Sequence, residues 1–135
     1  MNNRRVVITG IGMVTPLGLG IEHCWKRLLN GESGISKIEA FDVSDLPCKI
    51  AGNIPFGSKK IGFLDLDEWL EPREQRRLDR FISLGLVAAQ EAIQDSEINV
   101  DDKSILKNMG VLVGSGIGGL SSIADTAVLL DKNGN

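Results

Sequence analysis

The chain alternates short apolar runs with glycine-rich turns and longer segments of helical period. "RVVIT", residues 5–9, holds the continuous apolar run Val6–Ile8, which predicts a strand buried on both faces of a parallel or mixed sheet. "GIGMVTPLG" follows with Gly10, Gly12 and Gly18, and Pro16 stops any helix there. Ile21, Trp25, Leu28 and Leu29 recur at helical spacing, so a helix is predicted from Ile21 to Asn30 with Gly31 as its cap. "CKIAGNI", residues 48–54, predicts another short strand, which Pro55 ends. An irregular stretch with one helical turn near Trp69 then leads to Pro72, well suited to the first position of a helix. From Phe81 to Ile93 apolar residues cover more than one face, which predicts a buried helix preceded by a separate exposed turn. Gly85 lies inside it, and an interior Gly costs about 1 kcal/mol against Ala, so close packing on a neighbouring backbone is expected there. After a polar connection, "MGVLVGS" predicts a third strand and the residues from Leu120 a third helix, ended by "NGN". Strand and helix alternate three times, which is an α/β pattern.

Composition narrows the class. A chain of 135 residues suits one domain, and 42% hydrophobic with 24% charged residues is ordinary for a globular protein. No apolar run approaches the roughly 18 residues of a membrane-spanning helix. The run after Arg5 is also too brief for a secretory signal, so a cytoplasmic location without membrane attachment is expected. The net charge of -3 argues against a general nucleic-acid binder. Cys24, Cys48 and the single His23 lack metal-ligand spacing, and both thiols are expected to be small buried hydrophobes. His23 and Cys24 are adjacent, so on a helix they point about 100° apart and do not form a catalytic pair. No metal and no cofactor is expected.

Two features carry candidate chemistry. In "GVLVGSGIGG", Gly114, Gly116 and Gly119 satisfy G-x-G-x-x-G. A dinucleotide-binding module needs that loop after the first strand and an acid about 20 residues on, at the end of the next strand. Here it follows the third predicted strand, and Asp131 falls inside the last helix. A tight backbone turn is the competing reading. Secondly, Arg73, Arg76, Arg77 and Arg80 are spaced i, i+3, i+4, i+7 and would form one stripe on a helix. That stripe is either a solvated face neutralised by Asp67, Glu68, Glu71 and Glu74, or a dock for an acidic partner. Its place at the exposed start of an otherwise buried helix favours the dock.

Taken together, "RRVVITGIGMVTPLG", "WKRLLNGESGI", "FDVSDLPCKIAGNI", "REQRRLDRF" and "VLVGSGIGGL" resemble, in order and spacing, the opening third of the β-ketoacyl-acyl-carrier-protein synthases. The likeness is above all to the type II elongating enzymes, and it covers nearly the whole chain. The resemblance implies the thiolase-like fold, two related α-β-α halves, of which residues 1–135 would be an incomplete N-terminal domain: a mixed sheet with flanking helices. It implies that the glycine loop is a wall of the acyl pocket, with Ile117 as the bulky residue gating the acyl channel. It also implies that Arg73, Arg76 and Arg77 contact the acidic recognition helix of acyl carrier protein, while no family role passes to Arg80.

The reaction implied is decarboxylative Claisen condensation of an acyl group with malonyl carried on acyl carrier protein. Its nucleophilic cysteine, two histidines and catalytic lysine match no position here, nor do Cys24, Cys48 and His23 match any of them. No catalytic residue is therefore expected in this chain, which should be inactive alone. The complete enzyme would be a homodimer, paired through a strand beyond Asn135. A chain ending in the helix after the gating loop is expected to expose apolar surface and sheet edges prone to self-association. Two other readings stay open: a non-catalytic module that binds acyl carrier protein, and the Rossmann-type dinucleotide module.

Overall fold

Glycine and alanine bring the start of the chain against its long helix. The computed structural model describes residues 4–58 and 60–134. In it the segment around Gly10–Met13 lies along α3, the long helix Arg80–Asp95. A Cβ on Gly12 would run into the Ala88 carbonyl, and one on Gly10 would sit 2.6 Å from the Ser96 nitrogen. The helix presents alanines there and the glycines of the segment present no side chain, so the two backbones meet directly. Two carboxylates fasten the contact. Met13 N donates to Glu91 Oε2 at 2.6 Å, and Ile11 N donates to Asp95 Oδ2 at 2.9 Å. Glu91 and Asp95 are one helical turn apart, and Ile11 and Met13 are alternate residues of an extended chain. The two periods coincide, and the helix satisfies amides that a neighbouring strand would otherwise take.

The chain then turns back on itself. β1, Val14–Thr15, pairs antiparallel with β2, Gly18–Leu19, across Pro16 and Leu17. Gly20 N closes the turn onto Met13 O at 3.0 Å, and α1 follows over Ile21–Leu29. Gly31 takes φ +70° just after it, the left-handed geometry that the sequence predicts for a helix end. A second hairpin pairs β3, Ile35–Lys37, with β4, Ile50–Gly52, in the register Ile35↔Gly52 and Lys37↔Ile50. A 3-10 turn at Leu66–Glu68, capped by Asp65, precedes α2, which runs over Pro72–Gln75 with proline at its start. α4 is a single turn, Lys103–Leu106, and α5 covers Leu120–Asn133.

Several expectations need correction. Residues 5–9 and 109–115 form no strand, although both runs are apolar enough. Val6 is 94% exposed and Leu112 99% exposed, because neither run finds a pairing edge among the described residues. A strand is stabilised by its neighbour, and apolar composition alone does not supply one. α3 is only partly buried, since Ser83 and Val87 are covered while Phe81 and Ile93 are exposed. A Cβ placed on Gly85 would meet nothing within 4 Å, so the close approach falls at Ala88 and Ala92 instead. Cys24 is buried, donating from Sγ to Gly18 O at 3.2 Å, but Cys48 is exposed, in the polar loop that leads into β4.

Among the described residues the buried apolar side chains are Cys24, Val43, Leu64, Leu70 and Val87. The accessible surface is 11173 Å². A self-contained globule of 14.6 kDa exposes about 6,900 Å². The runs Val6–Ile8 and Val111–Val113 contribute to the excess, as does α5, which has no buried residue.

Candidate functional site

The end of the glycine loop, residues 117–119, meets residues 78–84 at the start of α3. The loop enters from the exposed run Val111–Val113, turns at 116–117, and delivers Gly119 as the residue before α5. Of the three glycines in the motif only Gly119 is conformationally required, at φ +66°; Gly114 and Gly116 have open space around them. A Cβ on Gly118 would strike the Phe81 ring, and one on Gly119 would lie 2.8 Å from Asp79 Oδ2. Asp79 and Phe81 thus approach the loop at Gly119 and Gly118, and the positive φ of Gly119 favours glycine there. The dinucleotide module lacks its context here as well, because residues 109–115 form no strand ahead of the loop.

Ile117 is 76% exposed. It borders a cavity of about 340 Å³ whose other walls include Leu78, Phe81, Leu84 and Leu120, with Asp79 and Arg80 at its polar side. The lining is mainly aliphatic and aromatic, as a site for an alkyl chain would need to be. Asp79 Oδ1 also accepts a hydrogen bond from Ser122 Oγ, in the first turn of α5.

The arginine stripe is not continuous. α2 ends at Gln75, residues 76–79 leave the helix, and α3 restarts at Arg80. Helical spacing therefore does not place all four guanidinium groups on one face. Arg80 is held apart, its guanidinium 4.8 Å from the centre of the Phe56 ring, a cation–π contact. Arg73, Arg76 and Arg77 are exposed on α2 and the turn after it. The sole ion pair among the described residues is Arg27 with Glu32, at 2.6 Å. Asp67, which could have neutralised the arginines, instead accepts from Gln75 Nε2 at 2.8 Å. The bland reading of a self-neutralised face loses its direct pairs. Among the described residues no group of His, Cys, Asp and Glu could hold a metal ion, and no helix is long and apolar enough to cross a membrane.

With this geometry in place, comparison with known proteins defines the class. The profile of the β-ketoacyl synthase N-terminal domain matches residues 3–135. The chain belongs to the β-ketoacyl synthase family. A 3-oxoacyl-[acyl-carrier-protein] synthase 2 of Rhizobium meliloti is 47% identical over 131 residues, which are 97% of this chain and 31% of the relative. The synthase of the same name from Vibrio cholerae is 40% identical, over 91% of this chain and 28% of its own length. The mitochondrial 3-oxoacyl-[acyl-carrier-protein] synthase of Arabidopsis thaliana is 36% identical, over 96% of this chain and 30% of its own length. Among solved structures, the ishigamide ketosynthase/chain length factor superposes with a TM-score of 0.61 at 27% identity, over 73% of this chain and 23% of that one. The fold class is accordingly α/β of the thiolase-like kind. The chain spans about a third of the length of the curated relatives it matches.

Proposed function

We propose that this chain provides the acyl-pocket wall and the carrier-docking surface of an enzyme that elongates fatty acyl chains by decarboxylative condensation with malonyl-acyl carrier protein. Residues 1–135 would be an incomplete N-terminal thiolase-like domain, with the nucleophile and the decarboxylating histidines supplied by segments that match nothing in it. The observation that carries the proposal is that exposed Arg76 and Arg77 run directly into the Leu78–Leu84 wall of a mainly apolar cavity that Ile117 borders. Family membership supports the same reading.

Arg73, Arg76 and Arg77 dock the acidic face of acyl carrier protein. Guanidinium groups with no ion-pair partner among the described residues are available to carboxylates, and the attraction of exposed charges steers encounter and weakens with salt. Ile117 stands where the far end of the acyl chain would arrive and limits its length by volume. Each extra methylene that must be accommodated costs about 1–3 kcal/mol when the pocket cannot yield. The working enzyme is a homodimer.

Charge reversal of Arg73, Arg76 and Arg77 in a complete condensing enzyme carrying these residues tests the docking role. KM for acyl carrier protein should rise at least about tenfold at low salt with kcat little changed, and the difference should shrink as salt increases. Unaltered KM would remove the docking assignment. Carrier binding without turnover by the complete natural protein would favour the non-catalytic module instead.

A further inference from the structure

Asp79 occupies the N-cap position of α3, where an aspartate ordinarily accepts amides of its own helix. Its side chain makes no such bond; only its backbone carbonyl accepts from the helix, from the amides of Ile82 and Ser83 at 3.0 and 3.2 Å, as an N-cap carbonyl ordinarily does. The carboxylate is turned outward to the glycine loop. Oδ1 accepts from Ser122 Oγ on α5, 43 residues away in sequence, and Oδ2 packs beside Gly119. Phe81, two residues on, lies on Gly118. The loop is therefore pinned immediately after Ile117, whereas Gly114 and Gly116, before it, have nothing within 4 Å. Arg76 and Arg77 precede Asp79 in the same break between α2 and α3.

We infer that Asp79 is a positioning residue for the gate: through Ser122 and Gly119 it fixes where Ile117 stands, and it ties the gate loop to the segment that bears the docking arginines. This rests on the reading of Ile117 as the gate. With the carboxylate lost, the loop is released at its pinned end and the gate yields to longer chains.

The test uses a complete condensing enzyme carrying these residues, with Asp79→Ala, Asp79→Asn and Ser122→Ala compared by product length and by KM for acyl carrier protein, and Ile117→Phe as reference. Asp79→Ala and Ser122→Ala should both shift products severalfold toward longer chains. The double variant should go no further than either alone, since both remove one interaction. KM should stay within about twofold, because the arginines are untouched. Asp79→Asn, which can still accept the hydroxyl, should retain much of the wild-type length distribution. Ser122 is exposed, so its variant separates loss of the bond from a folding defect. Unchanged product lengths in Asp79→Ala and Ser122→Ala, with Ile117→Phe shortening them, overturn the role of Asp79 while leaving the gate. A uniform fall in kcat without a length change also overturns it. Unchanged lengths in Ile117→Phe would remove the gate reading itself, and this inference with it.

Discussion

Gly-Ile-Gly occurs twice, at residues 10–12 and 116–118, each time after an apolar run, and the two copies are used differently. In the first, both glycines face α3, and a side chain on either would enter the helix backbone at Ala88 or Ala92. The flanking amides of Ile11 and Met13 are held by Asp95 and Glu91. In the second, a Cβ on Gly116 would meet nothing within 4 Å and only Gly118 is covered, by the Phe81 ring. One copy is a packing device between backbones. The other is a loop fixed at one end, with Ile117 at the boundary between its free and pinned parts. A glycine motif is thus interpreted by what approaches it, which spelling alone does not show.

Substitutions in and around the two copies should differ in their cost to stability, read by denaturant or thermal unfolding. Gly12→Leu has no room at the Ala88 carbonyl and should destabilise by about 3 kcal/mol, the upper end for overpacking. Removing the acceptor with Glu91→Ala leaves the Met13 amide unpaired in a half-buried place and should cost about 1–2 kcal/mol. Gly85→Ala runs the opposite way. No atom obstructs the new methyl group, so the helix should gain about 1 kcal/mol. Gly114→Ala, in the open approach to the second copy, should stay within about 0.5 kcal/mol of wild type. A cost at Gly114 equal to that at Gly12 would erase the distinction between the two regions. The smallest effect concerns pH. The side-chain hydrogen bond from Arg27, and then that from Asn30, hold the Glu32 carboxyl below its ordinary value of 4.5. A depressed carboxylate stabilises the fold above its unfolded value and loses that contribution as pH falls through the folded one. Glu32→Gln should therefore differ slightly from wild type at neutral pH and converge with it as pH falls below 4.5 and through the lower folded value.

Helices are legible in the sequence because their signals are local. Ile21, Trp25, Leu28 and Leu29 mark α1, Gly31 ends it, and Pro72 opens α2. The turn α4 has a signal too, in Asp102, which accepts from Ser104 N at 2.8 Å in the manner of an N-cap. Strands are less legible, because a strand needs an edge to pair with. Val6–Ile8 and Val111–Val113 have the composition and no partner among the described residues, whereas Ile50–Gly52 finds Ile35–Lys37. The arginine spacing reads as one helical face, but the break at residues 76–79 is invisible in a pattern that continues through it. In the candidate site, Ile117 and the arginines are marked by resemblance to a family. Asp79 with Ser122, and Glu91 with Asp95, carry no sequence signal, because each acts on a segment more than 40 residues away.

The exposed apolar runs have a physical consequence of their own. A surface of 11173 Å² with Leu112, Val113 and Ile117 uncovered favours association. The isolated chain should bind an apolar dye and self-associate with rising concentration. A compact, dye-silent monomer would show that the runs are covered in solution.

If the 110–119 loop is a wall that measures acyl chains, the bulk at Ile117 sets the length of the product. The most direct measurement is the product-length distribution of Ile117→Phe beside wild type, in a complete condensing enzyme carrying these residues and supplied with acyl and malonyl carrier proteins. The larger ring should truncate the distribution toward shorter chains while short acyl substrates are still condensed. Identical product lengths in the two enzymes would contradict the assignment of this loop to the acyl pocket.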